Sequence, residues 1–332
     1  MKILDVYELQ QKDDKPINWV VEGILPSGLV GDVYGPPDEG KSTILSHLAL
    51  SISSKQEKWF GRKIANGRVA IIGGEKSSED AWVRDIHRIG AETKLTERGQ
   101  MCIDMDDKPL WKFDKRAGEW LNTEEHKVLI EYLKTFEPVL VIIDTLSRAT
   151  IGGNIIDYEQ QSLLARKVEE IRHHLNTTII SISHTNQASA SANISNRLHW
   201  MSRSGSSGLP GIFRWMAGVT RVKEDDDIEQ LKSYNLQENK IVTFAVSKCN
   251  EIPPPLWNIY NPLVLHINGG IDLIGRVKIE TKKKKKKIED SILIDDTSAE
   301  SVAEPEPEKP KRGRPFKAAT KKEVTDDILQ YF

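Results

Sequence analysis

Four residues close to the N-terminus have the types and the spacing that phosphate binding requires. Gly35, Gly40, Lys41 and Ser42 form the pattern G-x-x-x-x-G-K-[ST] within the stretch YGPPDEGKST. In this pattern the N–H groups of the loop surround the phosphates, the lysine reaches the terminal phosphates, and the hydroxyl ligates Mg²⁺. The alternative is a simple turn rich in glycine and proline. The predicted nucleotide-binding residues, here called the phosphate loop, are Gly35, Pro36, Pro37, Asp38, Glu39, Gly40, Lys41, Ser42 and Thr43.

The sequence on either side of the phosphate loop predicts the elements that position it. The preceding stretch SGLVGDVYG is short and mostly apolar, and it is entered from a Pro-Ser-Gly turn, as is typical of a buried strand. The following stretch STILSHLALSIS places one apolar face at helical spacing, formed by Ile44, Leu45, Leu48, Ala49 and Ile52. A strand, a glycine loop and a helix in this order aim the helix N-terminus at an anion, which favours a nucleotide site over a simple turn.

A carboxylate follows a second apolar run. The stretch PVLVIIDTLS is a continuous run of large aliphatic residues up to Asp144, and such a run predicts a parallel strand buried on both faces. Ligands of an open α/β sheet bind at the carboxyl ends of its strands. Asp144 is therefore predicted to hold Mg²⁺, usually through water, opposite Ser42.

Two further predicted strands have a polar residue at their end or shortly after it. Arg68–Ile72 forms one of them, and Glu75 follows it after two glycines. Glu75 either polarises the water that attacks the γ-phosphate or is a surface residue that starts the next helix. The other strand, Thr177–His184, ends in a histidine that either contacts the γ-phosphate or forms an ordinary surface hydrogen bond. A last strand, KIVTFAVSK, ends at Lys248.

Composition predicts a folded core followed by a charged tail. The chain has 332 residues and only 38% hydrophobic residues, a low share for a chain that folds throughout. Residues 276–332 contain the unbroken run Lys282–Lys287, then an acidic stretch, then KPKRGRPFK, and such charge blocks are typical of disordered arms. The two cysteines are far apart, so we expect neither a disulfide framework nor a zinc site. Since the sequence shows no signal segment and no membrane span, we expect a cytoplasmic protein.

The ordered set of motifs resembles the RecA-like ATPases, and among them the replicative helicases of plasmids and phages of the RepA type. The resemblance covers residues 18–275 and rests on YGPPDEGKS, GGE, VIIDTLSR, SISH, RSGSSGLPGIFRW and VSK. It implies an α/β fold, a RecA-like core with a mainly parallel central sheet flanked by helices. It also implies a homo-hexameric ring with ATP and Mg²⁺ bound between neighbouring subunits and single-stranded DNA in the central hole.

The resemblance also implies roles for individual residues. Lys41, Ser42 and Thr43 would contact the phosphates and magnesium, and Asp144 would be the carboxylate on the magnesium side. Glu75 would be the catalytic base and His184 the sensor of the γ-phosphate. Arg214 would be the arginine finger that one subunit supplies to the nucleotide of its neighbour, and Lys248 would be a second cation that reaches the same phosphates. The alternative is that both residues form ordinary salt bridges.

The sequence departs from the family pattern at two places. Helicases of the bacterial replisome often have an arginine two residues beyond the lysine that corresponds to Lys248, whereas this chain has Asn250. This departure moves the finger role to Arg214. The phosphate loop also contains Asp38 and Glu39, whose side chains we expect to point away from the phosphates.

A long segment, 185–211, is rich in Ser and Asn and almost free of aliphatic residues, which predicts either a functional loop or one without a ligand. In a RecA-like ring this segment would face the central hole. Asn186, Arg197 and Arg203 would then meet phosphates, and His199 or Trp200 would stack on bases. Arg148, which follows Asp144, is a further candidate for nucleic-acid binding.

The end of the tail contains KRGRPFK, which resembles an AT-hook. Arg312 and Arg314 would enter the narrow minor groove of A·T-rich duplex DNA, where the negative potential is enhanced. The alternative is a basic tail that adheres without sequence preference. The predicted organisation is an N-terminal extension (1–17), a RecA-like ATPase domain (18–275) and a disordered charged tail (276–332).

Three functions are compatible with these features. The first is an ATP-driven DNA helicase or translocase of phage or plasmid replication, in a bacterial cell or a phage-infected host. The second is a DNA-binding protein of the recombinase or replication-loader type, in which ATP acts only as a switch. The third, a phosphotransferase for small molecules, needs an arginine-rich lid, and we find no convincing lid in the sequence.

Overall fold

The fold is described from a computed structural model of the chain. The described residues are 5–13, 15–73, 78–89, 95, 97, 99–106, 108–154, 156–186, 191–203, 207–226, 228–250, 256–268 and 270–279. Residues 1–282 belong to one compact unit, so the predicted boundary near Gly275 lies close to its C-terminal end. Among the described helices, none combines the length and the apolar character needed to cross a membrane. The predicted disordered tail lies almost entirely outside the described residues.

The described part of the chain alternates helices and strands. The α-helices are α1 (Val6–Gln10), α2 (Lys41–Ser53), α3 (Glu79–Ile89), α4 (Glu124–Phe136), α5 (Tyr158–Leu175), α6 (Ile194–Arg197) and α7 (Gly208–Ile212). The strands up to the middle of the chain are β1 (Trp19–Val21), β2 (Leu25–Pro26), β3 (Val30–Gly35), β4 (Lys58–Trp59), β5 (Arg62–Lys63), β6 (Arg68–Ile72), β7 (Met101–Asp104), β8 (Trp111–Asp114) and β9 (Glu119–Asn122). The later strands are β10 (Pro138–Ile143), β11 (Thr150–Ile151), β12 (Thr178–His184), β13 (Trp215–Arg221), β14 (Ile241–Cys249), β15 (Leu263–Asn268) and β16 (Gly270–Arg276).

Nine of the described strands form one sheet in the order β16-β15-β14-β13-β3-β12-β10-β6-β7. The strands from β13 to β7 pair in parallel, whereas β14, β15 and β16 add to one side as antiparallel neighbours. The predicted α/β fold with a mainly parallel sheet is therefore confirmed. The prediction that KIVTFAVSK is the last strand is wrong, because β15 and β16 follow it. Their sequences, LVLHIN and GIDLIGR, contain polar and glycine residues that weaken the strand pattern.

Both faces of the central strands are buried, as the continuous apolar runs predict. In β10, Leu140 and Ile142 belong to the core layer that contains α2, whereas Val141 and Ile143 belong to the layer that contains α4 and α5. This alternation follows from the period of two residues in a strand. Helices on both faces therefore cover the strands whose carboxyl ends carry the candidate site.

The helix after the phosphate loop is more enclosed than its apolar face predicts. The five residues of the predicted face, Ile44, Leu45, Leu48, Ala49 and Ile52, are all buried in α2. Ser46, Leu50, Ser51 and Ser53 are buried as well. A helix fixed on most of its circumference holds its N-terminus, and hence the phosphate loop, in a defined position.

Candidate nucleotide-binding site

The phosphate loop connects a buried strand to the N-terminus of a long helix. β3 ends at Gly35, and α2 begins at Lys41 after Gly40. Gly40 has φ 92°, in the left-handed region that favours glycine, and a Cβ atom there would lie 2.3 Å from Cδ1 of Ile267. At Gly35, a Cβ atom would lie 2.2 Å from the carbonyl oxygen of Val219. Gly40 is therefore favoured by its backbone conformation, and Gly35 is required by close packing against the backbone of β13.

Lys41 lies over the phosphate loop rather than in solvent. Its side chain is almost fully buried, and Nζ donates a hydrogen bond of 2.6 Å to the carbonyl oxygen of Pro36. Because Lys41 is the first residue of α2, its ammonium group and the helix N-terminus present positive charge on the same side of the loop. This is the electrostatic arrangement that a bound phosphate requires.

Three neighbouring parallel strands bring the other predicted residues to the same place. Asp144 follows the end of β10, and His184 ends β12 in register with Gly35 of β3. Both residues line one open cleft of about 260 Å³ together with the phosphate loop. The remaining residues that line the cleft are Asp38, Gly40, Lys41, Ser42, Thr43, Asp85, Arg88, Ile182 and Lys240. The fold therefore places the predicted cation, hydroxyls, carboxylate and imidazole around one cavity at the carboxyl end of the sheet.

Glu75, the predicted catalytic base, lies outside the described residues. The described chain before it ends with β6 and Gly73, whose φ is 70°. β6 pairs with β10, in register Ile72 to Ile143. Its carboxyl end therefore lies beside that of the strand that carries Asp144, and the role of Glu75 stays a prediction.

The donor set of the cleft fits Mg²⁺ with a nucleoside triphosphate. Ser42 and Thr43 supply hydroxyl oxygens, and Asp144 supplies a carboxylate that is 4% exposed. Mg²⁺ binds to oxygen ligands and usually keeps several waters while it bridges one or two protein groups to phosphates. Asp144 and Ser42 are the residues that would hold the ion.

The structure explains one acidic residue of the phosphate loop. Glu39 is turned toward β13, and its Oε2 accepts a hydrogen bond of 2.8 Å from the backbone N–H of Arg221. The expected orientation away from the phosphates is thus confirmed for Glu39. Asp38 differs, because it is exposed, has φ 58° and lines the cleft.

Arg214 and Lys248 lie together at the other end of the sheet. The N–H of Arg214 donates to the carbonyl of Val30 at the start of β3, whereas the phosphate loop follows the end of β3. Five residues of strand separate the two positions, or about 16 Å at the usual rise per residue. Lys248 donates a hydrogen bond to the carbonyl of Pro210, and its pKa is lowered by burial and, less strongly, by the charge of Arg214. Neither cation is placed to reach the nucleotide cleft of its own chain.

Two residues predicted to bind nucleic acid are buried in ion pairs instead. Arg197 is 3% exposed, and Nη2 lies 2.6 Å from Oδ2 of Asp226. Arg203 is 7% exposed, and Nε lies 2.8 Å from Oδ2 of Asp32 in β3. A buried carboxylate needs a paired charge, and these guanidinium groups supply it. The structure therefore contradicts a phosphate-binding role for Arg197 and Arg203.

The segment that contains these arginines is folded where it is described. Its start pairs with residues 202 and 203, since Thr185 and Arg203 form a β-bridge and the N–H of Asn186 donates to the carbonyl of Ser202 at 3.0 Å. Ile194 and Leu198 are buried in a core cluster. Residues 191–203 are therefore folded, and a functional role for the segment stays a prediction.

The remaining candidates for nucleic-acid binding stay predictions. Arg148 is exposed and follows Asp144 at the carboxyl end of the sheet. Asn186, His199 and Trp200 are half-buried, and the rings of His199 and Trp200 are 5.5 Å apart. The pKa of His199 is lowered by partial burial, which favours its neutral form. The AT-hook residues Arg312 and Arg314 lie outside the described residues.

Three charged residues of the cleft had no signal in the sequence. Asp85 and Arg88 come from α3, and Lys240 immediately precedes β14. Arg88 and Asp85 form an ion pair of 2.8 Å within α3. Helical periodicity does not distinguish α3 from any other surface helix, and Lys240 belongs to no motif. Only the folding of these elements around the phosphate loop reveals them.

Comparison with known proteins agrees with this geometry. The AAA_25 family model, described as an AAA domain, matches residues 2–190, which contain the phosphate loop, Asp144 and His184. The chain belongs to this AAA domain family. No curated protein matches the sequence of this AAA domain protein at a significant level.

A solved structure shares the fold of this AAA domain protein. It is described as a DnaB-like replicative helicase and its interactions with primase, and it matches with a TM-score of 0.54 at 15% sequence identity. The match covers 80% of this chain and 66% of the other chain, so this chain spans just under two thirds of that protein. The family model therefore shows an AAA domain, and the structural match shows a fold shared with the DnaB-like helicase.

Proposed function

We propose that this AAA domain protein is an ATP-hydrolysing ring ATPase that acts on nucleic acid, and most specifically a replicative DNA helicase or translocase of the phage or plasmid type. One observation supports the proposal above the others. The residues that would bind ATP and Mg²⁺ line a cleft at the carboxyl end of the sheet, whereas Arg214 and Lys248 lie together at the opposite end. In a closed ring of identical subunits each interface joins two different surfaces of the chain. The proposal is that these two ends of the sheet are the surfaces that meet.

In the proposed reaction, the chain binds and orients a nucleoside triphosphate for in-line attack by water. Lys41 and the N–H groups at the start of α2 neutralise the terminal phosphates, and Glu75 accepts the proton of the attacking water. His184 contacts the γ-phosphate or the attacking water, and it therefore responds when the γ-phosphate is lost. Arg214 and Lys248 of the neighbouring subunit stabilise the charge that develops on the transferred phosphoryl group.

The ring would bind single-stranded DNA in its central hole. Arg148 and Asn186 are two of the described side chains proposed for this contact, and both follow strands that end at the nucleotide cleft. Loss of the γ-phosphate on hydrolysis would therefore change the positions of Arg148 and Asn186 through the few residues that connect them to the cleft. A ring of six subunits is the usual assembly in the family that the sequence resembles, and single-stranded DNA is the ligand proposed for its central hole.

The experiment that tests this function is strand displacement from a forked DNA duplex with ATP and Mg²⁺. We expect the full chain to separate the strands and to form rings in the presence of nucleotide. ATP-dependent binding of single-stranded DNA without strand displacement or translocation would instead favour the recombinase or loader alternative. The absence of DNA-stimulated ATP hydrolysis would overturn the motor version, and the absence of ATP-dependent DNA binding as well would overturn both.

The tail is proposed to bind A·T-rich duplex DNA, and its removal is a separate test. The deletion starts at residue 280, because Val277 is buried in a core cluster and Ile279 packs against it. Removal of residues 280–332 should weaken duplex binding, most strongly at A·T-rich sites, and should leave the basal ATPase rate unchanged. Residual binding should fall steeply with salt concentration, because each phosphate contact releases a counterion. Binding is measured by fluorescence anisotropy with matched A·T-rich and G·C-rich duplexes.

A double variant distinguishes the hook from the general basic charge of the tail. Arg312→Ala with Arg314→Ala should remove the A·T preference, whereas the run Lys282–Lys287 keeps part of the affinity. If the intact chain binds both duplexes equally at moderate salt, the hook proposal fails and a basic arm remains.

A further inference from the structure

Besides Lys41, the phosphate loop contributes a carboxylate to the lining of the cleft. Asp38 carries a negative charge, and it lines the cleft that we propose for the phosphates of ATP. Glu39 is held away by the N–H of Arg221, but Asp38 is exposed and in the left-handed region of φ. A carboxylate beside a triphosphate disfavours binding unless a nearby cation offsets it.

Lys240 is the cation that the fold supplies from another part of the chain. β13 runs parallel to β3, and β14 returns antiparallel to it, so the start of β14 lies at the carboxyl end of β3. Lys240 directly precedes β14 and lines the same cleft as Asp38 and Lys41.

The backbone of Lys240 is fixed against the phosphate loop. Its carbonyl oxygen accepts a hydrogen bond of 2.9 Å from the N–H of Ile267. The side chain of Ile267 in turn occupies the space beside Gly40, where an added Cβ would clash at 2.3 Å. Lys240, Ile267 and Gly40 thus form a continuous packed contact.

Lys240 is partly buried among charges of both signs. Its side chain is half-buried, and burial is the main cause that lowers the pKa of its ammonium group. Asp38 and, less strongly, Glu39 oppose this effect, whereas Arg221 and Arg88 reinforce it. Arg88, one of the two cations that lower this pKa, forms an ion pair with Asp85. A phosphate oxygen at Lys240 would compensate for water lost on burial.

We propose that Lys240 is a nucleotide-binding residue that offsets the charge of Asp38 and donates a hydrogen bond to a phosphate oxygen of the bound nucleotide. The proposal rests on the nucleotide cleft proposed above and deepens it. It explains how a phosphate loop with an exposed aspartate binds a triphosphate. It also assigns a function to the start of β14, a position outside every motif in the sequence.

The test is a titration of the full chain with the fluorescent analogue mant-ATP in the presence of Mg²⁺. Lys240→Met keeps the aliphatic stem but removes the charge, and we expect it to weaken mant-ATP binding by about tenfold or more, as for the loss of a charge-assisted hydrogen bond. Lys240→Arg should retain most of the affinity. Lys232→Ala is the matched control, because Lys232 is exposed, pairs with Glu229 and lies outside the cleft.

A double-mutant cycle tests the link to Asp38. Asp38→Asn in the Lys240→Met background should recover part of the lost affinity, since the uncompensated carboxylate is then removed. Equal effects of Asp38→Asn in the two backgrounds would overturn the proposed coupling. Thermal unfolding of each variant verifies the fold, and Lys240→Gln repeats the test if Lys240→Met does not fold.

The outcomes separate this inference from the proposed function. If Lys240→Met binds mant-ATP like the unaltered chain while Lys41→Ala does not bind, the role of Lys240 is overturned and the nucleotide site stands. If the unaltered chain itself does not bind mant-ATP, the proposed function fails and the inference fails with it.

Discussion

Lys41→Ala is expected to abolish ATP hydrolysis and most of the affinity for ATP. The ammonium group of Lys41 lies over the phosphate loop at the N-terminus of α2, and it is the only lysine or arginine within the loop itself. A hydrogen bond from a charged group contributes about 1.5–3 kcal/mol, so its loss weakens binding by roughly tenfold to a hundredfold. Hydrolysis falls further, because the developing charge on the transferred phosphoryl group is no longer neutralised. The measurements are mant-ATP titration and steady-state phosphate release.

Two other variants serve as references for Lys41→Ala. Lys127→Ala removes an exposed lysine that pairs with Glu124 on α4, and it should leave both measurements unchanged. Glu75→Gln should still bind ATP but lose hydrolysis by orders of magnitude, because the phosphates stay positioned while the base is lost. Turnover of Lys41→Ala at the rate of the unaltered chain would end the interpretation of this cleft as a nucleotide site.

Arg214→Ala is expected to lower ATP hydrolysis by the assembled protein by about 10³-fold or more, the range of an arginine finger supplied in trans. ATP binding by the isolated subunit should not change, because Arg214 lies at the amino end of β3 and the phosphate loop follows its carboxyl end. The effect therefore appears in the catalytic rate of the ring and not in the affinity of the monomer. Arg116→Ala, a change of an exposed arginine in the β8–β9 turn, is the matched control.

Mixing two inactive variants gives the decisive version of this test. An interface that combines the phosphate loop of an Arg214→Ala subunit with Arg214 of a Lys41→Ala subunit contains all the proposed groups. In a ring with heterologous interfaces and random mixing in equal amounts, about a quarter of the interfaces have this composition. ATP hydrolysis should therefore return in part on mixing. Rings that are mixed, as shown by mass spectrometry, and still inactive would contradict the shared site.

The strands that carry the site were determined by local sequence. Arg68–Ile72 was predicted with the bounds that the structure shows, and the strands that lead to Asp144, His184 and the phosphate loop were placed within three residues. Continuous aliphatic runs specify strands buried on both faces, and the glycines of the phosphate loop specify a turn that other residues cannot adopt. The carboxyl ends of parallel strands lie at the same edge of the sheet, and therefore the polar residues at these ends lie close together.

The partners of individual charged side chains were decided only by the tertiary structure. Arg197 and Arg203 have the same local sequence character as an exposed nucleic-acid-binding arginine, yet they are buried because Asp226 and Asp32 lie opposite them in space. Lys240 and Arg88 belong to no motif, yet they line the nucleotide cleft. Local sequence specifies which backbone a segment adopts, whereas the burial and pairing of a charge depend on residues up to 171 positions away. For that reason the phosphate-binding motif could be read from the sequence, and the charges that surround it could not.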